Sequence, residues 1–246
     1  MAKSASKRAK AKRRKPPIAT AGTALAVIDI DMSEAHVDAK PYLFGHGGAR
    51  NSKARISDVL TLAKAQATIA AAYQANKIGL PFNRFVTIHF ERAGIADAEA
   101  AKATGDIMKL ATDWLRKQGN VIAYAWVREN DIGDGSKGSH VHIICHCPDA
   151  LPIGRMWQRW LRNVSGRPYR AKSIKSERIG GTVNCYANAP LAYLQNLDRV
   201  LAYMVKGVSP ADAAMLGLPK QEAGGRIVGK RSAVCAKLLN LIKLDV

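Results

Sequence analysis

The sequence predicts an α+β fold built on a largely antiparallel sheet flanked by helices, and three observations predict it. Apolar residues make up 48% of the 246 positions, enough for a packed core. Segments with the two-residue alternation of strands are interleaved with Ala-rich segments of helical period. Two of the strand-like segments are joined by a short Gly-rich loop, the mark of a hairpin. A chain of this length holds one well-packed domain with appendages and is short for two.

Taken in order, the first 17 residues carry eight basic side chains and no acidic one. Like charges at that density repel, so the segment reads as a disordered basic arm ended by Pro16 and Pro17. Residues 18–55, with a turn-rich patch at Gly45-His46-Gly47-Gly48, carry no clear element. From residue 56 to 246 the pattern is that of a single domain. A helix is expected from about Ile56 to Lys77, stopped by Gly79 and Pro81. Arg84 to Phe90, RFVTIHF, alternates and is β-branched, so it reads as a strand. Asp97 to Lys117 places Ile107, Leu110, Ala111, Trp114 and Leu115 on one helical face, and Gly119 ends it. Val121 to Glu129 and Ser139 to Cys147 read as strands around the loop Asn130 to Gly138, the second closed by Pro148. A helix around Ile153 to Asn163 follows, then short extended segments near Ser173 and Val183. Pro190 opens a helix that ends at Gly207, and Ser232 to Leu244 reads as a last helix.

The charge balance narrows the partner. There are 38 Lys and Arg against 19 Asp and Glu, a net +19, and without the arm 30 basic side chains still face 19 acidic ones. Such a surplus favours a polyanion, because each neutralised phosphate releases condensed counterions. A membrane span is excluded by the same reading: the longest apolar stretch, around Val59 to Tyr73, contains Lys64 and reads as an amphipathic helix. The polar, basic N-terminus has no secretory h-region. The four cysteines have no paired spacing, so a reducing cytoplasm is expected.

The segment GSKGSHVHIICHCP carries the most chemistry. His140 and His142 lie two apart on a strand, so both side chains leave one face with a Cα spacing of roughly 7 Å and can converge on one cation. A zinc site drawing on Cys145 and Cys147 is opposed by parity, which turns both cysteines to the other face. A hard ion such as Mg²⁺ or Mn²⁺ needs a carboxylate beside the imidazoles. Glu129 at the mouth of the hairpin is favoured over Asp131 and Asp134, because a strand position is better fixed than a loop one. His89, on the outward parity of its own strand, is a weaker candidate. Two exposed strand histidines without a metal remain the bland alternative. Downstream, in NLDRVLAYMVKG, Tyr203 and Lys206 share a helix face. A tyrosine can attack a phosphodiester as its phenolate, and an ammonium one turn away would help it ionise. A packed ring beside a solvated charge is the common alternative.

In order, RFVTIHF, KGSHVHII and LAYMVKG resemble the three motifs of the HUH endonucleases, over about residues 80–210. The resemblance is nearest to the single-tyrosine initiators of rolling-circle replication in plasmids and filamentous phages. It implies a domain with a central antiparallel sheet of about five strands and a Mg²⁺ or Mn²⁺ site. It also implies nicking and joining of single-stranded DNA through a 5′-phosphotyrosine with a free 3′-hydroxyl. Carried over by position, His140 and His142 become metal ligands, with Glu129 the acidic one. Tyr203 becomes the nucleophile and Lys206 its helper, while Tyr193 does not fit a close tyrosine pair. The implied partners are an origin hairpin or equivalent single strand and a host helicase and polymerase. A mobilisation relaxase, a transposase and a non-catalytic DNA-binding protein or repressor are the alternatives.

Three further features bear on the DNA reading. Arg128 and Lys137 flank the histidine hairpin, and can either track a DNA backbone or serve as solvated surface. Trp157, Trp160 and Tyr169, among Arg155, Arg159, Arg162, Arg167 and Arg170, resemble a stacking platform for unpaired bases, with core packing as the alternative. The run Gly224 to Arg231 nearly spells a P-loop, but Arg231 stands where Ser or Thr should hold Mg²⁺, so no helicase is expected here.

Overall fold

In a computed structural model, residues 55–131 and 138–244 are described; the expected basic arm and the segment before residue 55 lie outside them. The elements in order are β1 (Ile56–Ser57), α1 (Leu62–Lys77), β2 (Arg84–His89), α2 (Asp97–Lys117), β3 (Tyr124–Asp131), β4 (Gly138–Cys145) and α3 (Ile153–Ser165). They continue with β5 (Ile174–Arg178), α4 (Cys185–Asn188), α5 (Pro190–Val205), α6 (Pro210–Met215), β6 (Ile227–Val228), β7 (Ser232–Val234) and α7 (Ala236–Leu244).

Five strands form one antiparallel sheet in the order β5-β2-β4-β3-β7, so β4 lies at its centre and every residue of it is buried. Period-two alternation sends its side chains to two separate cores. Val141, Ile143 and Cys145 join Val86, Ile88 and Trp126 under α2 and α3. On the other face Ile144 joins Ala125 and Val127 under α1, α5 and α7. The chain is therefore α+β, with helices on both faces of an antiparallel sheet. Helix α2 shows how the pattern specifies its own packing. Ala100, Ala103, Ile107, Ala111 and Leu115 are buried at three- and four-residue spacing, while Lys102–Asp106 and Lys109–Asp113 pair on its wet face. Among the described residues, no helix is long and apolar enough to cross a membrane.

Several expectations are corrected. The helix expected from Ile56 begins only at Leu62, because Ile56 and Ser57 pair with Val228 and Ile227, and Leu60 donates its N–H to Gly207 O at 2.9 Å. The strands expected at Val121 to Glu129 and Ser139 to Cys147 run instead over Tyr124–Asp131 and Gly138–Cys145, a register that pairs Asp131 with Gly138. No strand forms near Val183, where the chain turns into α4. The expected helix from Ser232 is split, since Ser232–Val234 adds to the edge of β3 before α7 starts. The stacking platform does not exist: Trp157 is 0% and Trp160 3% exposed, their rings 4.9 Å apart edge to face inside the α2–α3 core. Their helical spacing signalled packing.

Candidate functional site

Strand register builds the site. Glu129 on β3 and His89 on β2 both lie opposite His140 of β4, and Thr87 lies opposite His142. Partners across antiparallel strands share a face, so three strands bring Glu129, His140, His142 and Thr87 together. Each imidazole is oriented from behind. His140 Nδ1 lies 2.8 Å from Gly138 O, which can only accept, so Nδ1 carries a proton and Nε2 is turned to the site. Gly138 has φ of 61°, a left-handed backbone conformation that favours glycine. His142 Nδ1 lies 2.9 Å from Thr87 Oγ1.

Both Nε2 atoms then face Glu129 Oε2 at 3.4 Å, longer than a hydrogen bond of good geometry. His142 Nε2 and Glu129 Oε1 are buried without a hydrogen-bond partner. Burial opposes the charge on Glu129, yet the two imidazoles and Lys206 outweigh it and hold the carboxyl well below the usual carboxylate range. Burial likewise depresses His142 against the pull of Glu129, leaving its ring neutral at pH 7. Two imidazoles turned toward one carboxylate, with orphaned polar atoms among them, fit a cation. The ligand atoms all lie within 4.8 Å of one another, and ordinary bonds of roughly 2 Å can reach an ion placed between them. The cluster can hold a metal ion.

Tyr203 arrives on another element. Helix α5 crosses the histidine face, and Leu197, Leu201 and Met204 pin its buried side. The Tyr203 ring, 39% exposed, is held edge-on against His142 at 5.0 Å and Phe85 at 6.1 Å between ring centres. In front of it opens a cavity of about 340 Å³, lined by Phe85, Thr87, His140, His142, Lys175 and Tyr203. Lys206 Nζ lies 4.4 Å from the centre of the Tyr203 ring. It is not a free ammonium, because it binds Glu222 Oε2 at 2.6 Å and Glu129 Oε2 at 3.4 Å. Burial raises the Tyr203 pKa, Lys206 opposes this, and Glu129 and Glu222 add to burial. The resting side chain is a phenol.

His89 stands beside His140, with ring centres 5.5 Å apart on the cavity wall, outside the converging trio. Cys145 and Cys147 are buried in the opposite core, where burial pushes both thiols up, Cys147 to about 11. That disposes of the zinc reading. Arg128 does not track DNA: it is 0% exposed, and donates to Val228 O at 2.8 Å and Asp97 Oδ1 at 3.1 Å. Lys137 and Asp134 lie outside the described residues, as does the side chain of Asp131. Tyr193 is buried and donates to Phe82 O at 3.0 Å, a packing role.

The glycine run holds no nucleotide. Buried Arg231 gathers the carbonyls of Ser57, Gly224 and Gly225, while Gly224 O also accepts from Asn130 N at 3.0 Å. Gly225, at φ 65°, packs so tightly on Asn130 that a Cβ would overlap its carbonyl. The run therefore closes the back of the site behind Glu129.

Sequence reasoning passed over Phe85, Thr87, Lys175 and Glu222. Thr87 had a signal, since it shares strand parity with His89; Glu222, in irregular chain 16 residues beyond Lys206, had none. Comparison with family models, with curated proteins and with solved structures gave no match.

Proposed function

We propose that this protein is a metal-dependent, single-tyrosine endonuclease and strand transferase of the HUH type, acting on single-stranded DNA. Its biological task in this reading is to initiate rolling-circle replication of a plasmid or phage. The observation that carries the reading is the exposed Tyr203 ring held 5.0 Å from His142, facing a cavity lined by His140 and His142, whose Nε2 atoms converge on the Glu129 carboxylate. The order of the three motifs in the sequence and the net charge of +19 support the substrate class.

Glu129, His140 and His142 would hold Mg²⁺ or Mn²⁺. A bound divalent ion supplies Lewis-acid polarisation of a nonbridging phosphate oxygen. The chain's own residues do the rest. Phe85 and His142 fix the Tyr203 ring, so the phenolic oxygen meets the phosphate from a constrained direction. That oxygen bonds to phosphorus as the P–O3′ bond breaks. The phenolic proton passes to solvent at the open cavity, and the departing 3′-oxygen takes up a proton from solvent in its place. One phosphoester replaces another, so the strand can be rejoined by the reverse attack. Lys206 offsets negative charge as the phenol ionises, with Glu222 holding its ammonium near the ring.

Covalent capture tests this. The protein is incubated with a randomised single-stranded DNA library and Mn²⁺, then denatured, and DNA still attached to protein is recovered. Wild-type protein should yield an adduct that chelation abolishes, and recovered strands should share a 5′-terminal sequence. Tyr203→Phe removes only the phenolic oxygen and should yield none. An adduct formed equally well by Tyr203→Phe overturns the assignment.

A further inference from the structure

Next to the cavity at Tyr203 lies a second one, of about 470 Å³, which shares the Phe85 ring as a wall. Register ties the two together. Lys175, Thr87 and His142 form one row across the sheet, and Glu177, Phe85 and Ile144 form the next row on the same face, roughly 7 Å along. Whatever fills the second cavity is therefore one short step from the first.

Its walls have the chemistry of a flat, amphipathic guest. Phe85 offers a ring and Ile179 and Val200 apolar contact, while Gly180 and Gly181 present bare backbone. Two of its side chains bring hydrogen-bond acceptors. Glu177 brings a carboxylate. Asn196 spends one amide N–H on Ala192 O at 2.7 Å, and its side-chain oxygen can accept. Both accept hydrogen bonds. The charge on Glu177 is offset by Lys175 at 3.0 Å, an exposed surface pair that a ligand can displace at little cost. Arg178 lies beside it, with its Nε donating to Asp149 Oδ1 at 3.1 Å.

We infer that this second cavity is a subsite for one unpaired nucleobase that carries an exocyclic amine: cytosine, adenine or guanine in preference to thymine. The inference rests on the proposal that single-stranded DNA is the substrate, and adds to it where sequence is read. The base stacks on Phe85, and its amine donates to Glu177 and Asn196. Thymine has no amine and a single imide N–H, so at least one of the two acceptors stays unpaired in a partly desolvated site, which disfavours it. Phe85 then has two duties, since the ring that receives the base also braces Tyr203 and His142.

The test is binding without cleavage. Fluorescein-labelled dodecamers of deoxycytidine, deoxyadenosine and thymidine are titrated with the full chain in excess chelator and followed by anisotropy. Wild-type protein should hold the cytosine strand roughly tenfold more tightly than the thymine strand. Glu177→Ala, at an exposed position, should erase that ratio, and Glu177→Gln, which keeps an acceptor, should restore part of it. Val200→Trp, which fills the cavity, should erase the ratio without touching Glu177. A ratio near one in wild type, or one that neither Glu177→Ala nor Val200→Trp changes, overturns the subsite while leaving the nicking proposal to its own covalent assay. Failure to bind any of the three strands overturns the substrate class and the subsite together.

Discussion

Lys206 stands between two carboxylates that ask different things of it. At 3.4 Å its ammonium approaches the same Glu129 oxygen that both imidazoles face, and at 2.6 Å it is clasped by Glu222. An ammonium at that place repels any divalent ion coming to Glu129, yet positive charge beside Tyr203 favours the phenolate. The two duties separate on substitution. Lys206→Met should raise Mn²⁺ affinity by roughly tenfold, measured by calorimetry without DNA, while lowering the rate of adduct formation. Weaker Mn²⁺ binding would show instead that Lys206 is needed to keep Glu129 ionised.

At the scale of elements, the site depends on pieces of chain that touch no substrate. The strap formed by β1 and β6, with the glycine run before it, backs the site behind Glu129, and Arg231 is its rivet. Arg231→Met keeps most of the volume but strips donors from the carbonyls of Ser57 and Gly225. Unpaired buried carbonyls cost about 1–3 kcal/mol each, so urea unfolding should reveal a loss of about 3 kcal/mol. A loss below about 1 kcal/mol would mean that water replaces the guanidinium. This strap also marks where the sequence stopped being legible. His140, His142 and Glu129 could be read because strand parity is local, and α2 could be read because its apolar stripe runs from Ala100 to Leu115, about four turns. Ile56–Ser57 and Ile227–Val228 are two-residue strands whose only reason to be extended is each other, across 170 residues. Arg128 and Arg231 look like surface by residue type; only tertiary structure shows that their guanidinium groups answer buried carbonyls. Trp157 and Trp160 are another case: a spacing of three on a helix more often means core packing than a stacking platform, and the core under α2 is where they lie.

For the whole molecule, charge and chemistry are separable. The first 17 residues carry eight of the positive charges, whereas Tyr203 and the histidines lie on the sheet and α5. Each phosphate contact on a single strand adds roughly 0.7 to the slope of log affinity against log salt. With half of those charges engaged, deleting residues 1–17 should flatten the slope by roughly 3 and weaken all sequences alike. Salt titrations of intact and truncated protein on cytosine and thymine strands measure this. An unchanged slope would reduce the arm to a solubility tail, and a loss confined to one sequence would make it a reader of bases. The sheet order has one more consequence. Strand β5 stands at the border with no strand beyond it among the described residues, and its outer backbone groups are an open template for another chain. Its sequence, Ile-Lys-Ser-Glu-Arg, is short and charged, which discourages edge-to-edge stacking into fibres. Lys175 and Glu177 thus guard against self-association while rimming the two cavities, and replacing them with apolar residues to tighten ligand contact removes the guard as well.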